Sequence, residues 1–195
     1  MTKIRPARLP DDIDAIAALD ISYDTDVIFG ARFDDGLIAL EEVRLPAPIT
    51  KSFPLNDLHD PIMPWTIGLV AVDDNQRIIG FVAAEFRAWN RRLVLWHLYV
   101  DRAFRGKGVA RRLVEAIQSQ AERAGALHIW LETSNLNVPG VKAYGQMGFH
   151  VSGLDSTLYD GTSAEGEFAL FLSKPVKISA PADRRRGRQS PAQAV

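Results

Sequence analysis

Arg105-Gly106-Lys107-Gly108-Val109-Ala110 is the stretch on which the reading of this chain turns. The run before it, Leu93-Val94-Leu95-Trp96-His97-Leu98-Tyr99-Val100, is apolar, β-branched and aromatic, as a strand should be. After it, Val109, Leu113, Ile117 and Ala121 recur at one-turn intervals with Val114 beside them, which predicts an amphipathic helix over residues 107–123. Strand, glycine-broken loop and helix together gather backbone N–H groups at the positive end of a helix. Glycine allows the sharp bend and the close approach of a ligand. Arg105 and Lys107 add positive charge, so the stretch predicts a phosphate or pyrophosphate site. It is neither a dinucleotide fingerprint nor a Walker loop, because the G-x-G-x-x-G spacing and a G-K-S/T ending are both missing. The glycines alone are equally compatible with a tight strand-to-helix connection.

Working outward, residues 127–133 read as a strand that completes a βαβ unit. Such a crossover is right-handed and makes its two strands parallel, with a ligand beyond their carboxyl ends. Gly125 predicts the helix stop. A second helix is expected from Pro139, with Asn137 near its N-cap and Gly148 at its end, followed by strands over 149–154 and 167–172. Upstream, residues 66–72 and 77–86 predict paired strands around the turn Asp73-Asp74-Asn75-Gln76, and residues 88–91 the next turn. Lys3 to Ala7 predicts a first strand. Pro10-Asp11-Asp12 predicts a helix start, with Ile13, Ile16, Ala17 and Leu19 on its apolar face. Residues 27–33 and 37–45 predict a hairpin around Asp34-Asp35-Gly36. Pro46, Pro48, Pro54, Pro61 and Pro64 predict a loop-rich stretch after it. The whole is an α/β pattern, with one domain over residues 1–175. Residues 176–195, with Arg184-Arg185-Arg186-Gly187-Arg188, read as a disordered basic tail rather than a nucleic-acid contact.

Composition narrows the function. A chain of 195 residues with 47% hydrophobic and 24% charged residues can bury the core of one domain. A net charge of −1 gives no global field toward nucleic acid or membrane. With no cysteine there is no disulfide, thiolate metal site or cysteine nucleophile. His59, His97, His128 and His150 show no paired metal-ligand spacing, so no metal is expected. Without a basic-then-apolar leader or a membrane-length apolar run, a cytoplasmic location is expected.

The wider pattern is more specific. Arg105-Gly106-x-Gly108-x-Ala110, then Asn137-Val138-Pro139, Tyr144 and Gly148-Phe149, resembles the GNAT superfamily of N-acetyltransferases, whose coenzyme-A loop reads Q/R-x-x-G-x-G/A. Within it, several segments are similar to the streptothricin (nourseothricin) acetyltransferases. These are Asp24-Thr25-Asp26-Val27-Ile28-Phe29, Thr50-Lys51-Ser52-Phe53-Pro54, Trp89-Asn90-Arg91-Arg92-Leu93, Leu131-Glu132, Gly153-Leu154-Asp155 and Leu158-Tyr159-Asp160-Gly161-Thr162. The resemblance implies a GNAT-type acyltransferase fold, a mixed central sheet flanked by helices, with splayed parallel strands holding acetyl-CoA. It implies transfer of acetyl from acetyl-CoA to a primary amine of a cationic small molecule, the β-lysine amine of a streptothricin being the sharpest candidate. Other acceptors stay open: a polyamine, an amino acid, an aminoglycoside or a protein N-terminus. A non-catalytic acyl-CoA-binding domain is the remaining alternative. No nucleic-acid or membrane partner is expected, and the resemblance implies that a homodimer is common.

Residue by residue, the resemblance places the pyrophosphate on Arg105 and on the backbone of Gly106, Lys107, Gly108, Val109 and Ala110. The pantetheine arm would follow Leu98, Tyr99 and Val100, with Asn137 and Tyr144 completing the cofactor site. Tyr144 would donate to the leaving thiolate; a phenol of pKa about 10 stays protonated at neutral pH. A tyrosine packed in the core is the alternative. The base is open. The strand Trp96-His97-Leu98-Tyr99 has no carboxylate where the subgroup often has one. His97 could relay a proton through water, Glu132 is a second candidate, and attack by amine already neutral in solution is a third. For a polycationic substrate the candidate contacts are Asp20, Asp24, Asp26, Trp89, Glu132, Asp155, Tyr159 and Asp160, with Glu167 as a further carboxylate. The subgroup can carry an acidic insertion after the segment ending at Pro54; here Leu55-Asn56-Asp57-Leu58-His59-Asp60 is short and mildly acidic.

Overall fold

The computed structural model describes residues 2–53, 55–60 and 62–177. Strand β1 (Lys3–Pro6) leads to a short helix, α1 (Ile13–Ala17). Of the apolar face read from the sequence, Ile16 is fully buried and Leu19, just past the helix, nearly so, whereas Ala17 is exposed. The hairpin forms as β2 (Tyr23–Asp34) and β3 (Leu37–Lys51), turning at Asp35 and Gly36, both at positive φ. It is longer than the sequence suggests, because β3 runs through Pro46 and Pro48. The ladder explains how. Thr25 pairs with Ile49 and Val27 with Arg44, so the prolines fall in a register break where no ladder N–H is required of them.

Regular structure then follows the predicted order. Strands β4 (Ile67–Val72), β5 (Ile78–Arg87) and β6 (Arg92–Val100) form a meander. Helix α2 (Val109–Ala124) ends on Gly125 at φ 71°. Strand β7 (His128–Ser134) and helix α3 (Val138–Gln146) come next, and β8 (His150–Asp155) and β9 (Ala169–Pro175) close the fold. The main sheet has seven strands in the order β1-β4-β5-β6-β7-β9-β8. β6 and β7 run parallel, joined through α2 as the βαβ reading requires. The neighbouring pairs are antiparallel.

Alternation along the strands builds a core on each face. Leu69 and Ala71 join α2 residues Leu113, Ile117 and Ala121, whereas Val70 and Val72 join Ile16, Leu58, Trp65 and Phe81. Gly80 admits α2 closely: a Cβ there would lie 3.0 Å from the Tyr99 carbonyl and 3.2 Å from Leu113. Burying each large aliphatic side chain contributes about 1.5–3 kcal/mol, which fixes α2, and hence its N-terminus, against the sheet. The expected tail lies outside the described residues except for Val176 and Lys177. Val176 belongs to the fold, since it is buried and its N–H donates to the Leu127 carbonyl at 2.9 Å.

Candidate active site

The site begins where two parallel strands part. β6 and β7 are paired from Arg92 with His128 to Leu95 with Leu131, and no further. At that point β6 carries a bulge. Ala84 faces Leu95 and Ala83 faces His97, leaving Trp96 as the extra residue, and a bulge bends the strand that holds it. Beyond it, Leu98 to Val100 pair with β5 alone, while Glu132 to Ser134 stay paired with β9. A cavity of about 560 Å³ opens in the cleft.

One end of the cavity is built from main chain. Gly106 and Gly108 line it and adopt φ 73° and 78°, a conformation that strains any other residue. A Cβ at either position would meet nothing within 4 Å, so the strain is conformational and the space in front of the loop is clear. The first bond of α2 runs from Arg112 N–H to the Gly108 carbonyl at 3.2 Å. The amides of the preceding turn therefore have no acceptor within the helix, which is the arrangement that receives an anion. Val109 and Ala110 line this end too, as do Leu98, Tyr99 and Val100.

The two cations of the loop behave differently from the sequence expectation. Arg105 lines the cavity, but its guanidinium turns back into the protein. Nε donates to the Val100 carbonyl at 3.1 Å, and the terminal nitrogens donate to the Ser22 and Asp20 carbonyls. Lys107 is not in the lining. Its Nζ donates to the Ala103 carbonyl at 3.0 Å and sits 5.0 Å from the Phe104 ring centroid. Both side chains are thus spent on shaping the loop.

Asn137 and Tyr144 frame the middle of the cavity. Asn137 caps α3: its Oδ1 accepts from Gly140 N–H at 3.0 Å, and its Nδ2 donates to Thr133 Oγ1 at 2.9 Å. The Tyr144 ring packs edge-on against Phe149 at 5.6 Å. Burial, reinforced by the nearby Glu132 charge, holds the Tyr144 phenol well above its ordinary pKa, so it remains a donor.

The other end is made of side chains. All four tyrosines of the chain, Tyr23, Tyr99, Tyr144 and Tyr159, line this one cavity. Tyr159 Oη donates to Glu132 Oε1. Burial raises the Glu132 carboxyl above the usual range, opposed by that hydrogen bond. The Tyr23 phenol is pushed up to about 12 by burial, and its hydroxyl has no hydrogen-bond partner among the described residues. Phe53 stacks on Tyr23 at 6.0 Å. Glu167 also lines the wall, ion-paired with Lys51 Nζ and accepting from Ser134 Oγ. Aromatic faces around carboxylates favour a cation.

The profile of the Acetyltransferase (GNAT) family matches residues 37–149, which spans the cleft from the hairpin to the end of α3. The chain belongs to this family. It is an N-acetyltransferase dependent on acetyl coenzyme A. Streptothricin acetyltransferase of Streptomyces lavendulae is 38% identical over 179 residues, 89% of this chain and 94% of that protein. The crystal structure of a nourseothricin acetyltransferase is similar at TM-score 0.81 and 39% identity, covering 90% of this chain and 99% of that one. A Bacillus anthracis structure in complex with acetyl coenzyme A follows at TM-score 0.76 and 25% identity, over 91% and 99% of the two chains.

In this acetyltransferase the expected cofactor residues converge, apart from the Lys107 side chain. The expected acceptor residues divide. Glu132, Tyr159 and Glu167 meet in the cavity, whereas the named aspartates lie outside its lining. Asp20 accepts from Ser22, Asp24 pairs with Arg102, Asp26 with Arg44, and Asp155 caps the turn at Thr157. Asp160 is exposed in that same turn region, and Trp89 is 86% exposed at the β5–β6 turn. His97 is buried behind Tyr99 and outside the lining; its ring is 5.6 Å from Tyr99. Sequence reasoning named Glu167 but did not single out Tyr23, Phe53 or its ion-pair partner Lys51 as site residues. The available signal was that Phe53 and Lys51 sit in a segment similar to the subgroup. Among the described residues no three His, Asp or Glu side chains are grouped to hold a metal ion, and no helix is long and apolar enough to cross a membrane.

Proposed function

We propose that this acetyltransferase acts on a primary amine of a cationic small molecule, with the β-lysine amine of a streptothricin as acceptor. The observation that carries the proposal is Glu132, placed on β7 immediately past the last β6–β7 pair and surrounded by the tyrosines of the cavity. The streptothricin and nourseothricin acetyltransferases similar to this chain over most of its length support the same acceptor.

Bound acetyl coenzyme A supplies a thioester carbonyl open to attack by a neutral amine. The backbone of Gly106 to Ala110 would hold its pyrophosphate, with the edge of β6 at Leu98 to Val100 beside the arm. Glu132 would seat the incoming ammonium. An adjacent cation favours the charged carboxylate, so ammonium binding and Glu132 ionisation reinforce each other. Tyr144 would donate to the departing sulfur, and its elevated pKa keeps that proton available across the working range.

A thiol-release assay with acetyl coenzyme A and a panel of amines tests this reading. Saturable turnover of a streptothricin at micromolar concentration is expected. Turnover of other amines with none of streptothricin would reject this acceptor.

A further inference from the structure

β6 offers no carboxylate, yet the fold pairs its His97 with one from elsewhere. In a 3-10 turn at Asn56–His59, Asp57 Oδ2 lies 2.6 Å from His97 Nε2. The turn is anchored by Leu58, which is 1% exposed within the core that also holds Ile16 and Trp65. Trp65 Nε1 donates to the same Asp57 oxygen at 3.2 Å and fixes its direction. The short acidic segment 55–60 therefore supplies what the strand lacks.

The pairing decides the state of the imidazole. An ionised carboxylate only accepts hydrogen bonds, so His97 Nε2 carries a hydrogen and Nδ1 of the neutral ring carries the lone pair. Nδ1 is buried and has no hydrogen-bond partner among the described residues. The ring is held between Phe81, at 5.8 Å, and Tyr99, at 5.6 Å, which resists a flip. Tyr99 in turn lines the cavity.

We propose that Asp57 and His97 form the proton-accepting dyad for the acceptor amine, with Asp57 as a positioning residue that sets the tautomer. The proposal rests on the reading that the chain acetylates an amine. The ammonium gives up one proton to the hydroxyl of Tyr99, which lines the cavity beside His97, as the phenol's own proton moves on to Nδ1. The former N–H electron pair becomes the lone pair of the neutral amine, which bonds to the acetyl carbon as the C–S bond breaks; Tyr144 protonates the departing sulfur, and the second proton shed by the amide nitrogen restores the Tyr144 phenol. The imidazolium, held against the Asp57 carboxylate, afterwards returns its proton to solvent. Asp57 and Tyr99 are the ionisable groups that face His97; Tyr23, Glu132 and Tyr144 in turn act on Tyr99.

The full chain carrying Asp57→Asn, Asp57→Glu or His97→Gln tests this by kcat–pH profiles with the best acceptor amine. Histidine ¹⁵N NMR of the wild type and acetyl-CoA affinity are measured alongside. The expected wild-type profile has an acid limb that reports protonation of the base. Asp57→Asn removes the charge that favours imidazolium, so the limb moves to lower pH and the plateau falls roughly 10-fold or more, as expected for a weakened base. Asp57→Glu restores part of the rate, His97→Gln abolishes the limb, and acetyl-CoA affinity stays within about twofold, since none of these residues lines the donor end. The NMR spectrum should show Nδ1 unprotonated in the neutral ring. An unmoved limb in Asp57→Asn, or a neutral ring protonated at Nδ1, overturns the dyad. If streptothricin is not turned over but another amine is, the acceptor reading fails while the same profiles still judge the dyad. The NMR arm judges it without any acceptor.

Discussion

The two ends of the cavity are built by different means. The donor end is main chain: two left-handed glycines, the first turn of α2 and the free edge of β6 past its bulge. Its nearby cations, Arg105 and Lys107, are tied to carbonyls of the protein itself. The acceptor end is side chain: Glu132, Glu167 and aromatic rings contributed by β2, β6, β7, α3 and the 156–168 segment. Backbone geometry is dictated locally, by glycine and by helix and strand ends. A side-chain cluster depends on which distant segments the fold brings together. On the proposed reading the donor end is generic to acetyl transfer, and selectivity for the acceptor belongs to the other end.

Substitutions separate the two ends, and they are ordered here by size of effect. Tyr144→Phe removes the proposed donor to the leaving sulfur; kcat is expected to fall roughly 10²-fold, with acetyl-CoA affinity unchanged. An unchanged kcat in steady-state kinetics removes that role. Gly108→Val forces a β-branched residue to φ 78° at a cost of about 1–3 kcal/mol. Calorimetric titration should then show acetyl-CoA binding weakened by about 10-fold or more, with acceptor binding little changed. Lys107→Ala should be smallest. Its ammonium is satisfied by Ala103 and Phe104, so loss of an exposed charge should change acetyl-CoA affinity by only about twofold. A 100-fold loss there would mean that side-chain charge, and not the backbone, binds the donor.

The same contrast explains what could be read in advance. The Arg105 to Ala110 loop, the Asn137 cap and the Gly125 stop are local signals, and each stands where its residues predict. The β6–β7 parallel pair followed from one helix between two strands. Legibility failed where a distant partner decides. Pro46 and Pro48 looked like loop residues, yet a register break in the facing strand accommodates them. Asp24 and Asp26 looked like contacts for a polycation, yet Arg102 and Arg44 take them as ion-pair partners. Arg105 looked like a phosphate ligand until the carbonyls of Ser22 and Asp20 came within its reach. Asp57, in a segment that read as a weakened acidic insertion, became the partner of a histidine 40 residues away.

The central claim is that donor and acceptor are bound by separable parts of one cavity. Glu132→Gln tests it most directly, with binding of acetyl coenzyme A and of streptothricin measured on the same protein by calorimetry. The wild type is expected to bind both, the acceptor more tightly as Glu132 ionises above the usual carboxylate range. In the variant, acetyl-CoA affinity should stay within about twofold, while acceptor affinity falls by about 10-fold or more and loses that pH dependence, as expected when one partner of a partly buried charge pair is removed. Equal losses for both ligands, or unchanged acceptor affinity, would contradict the account.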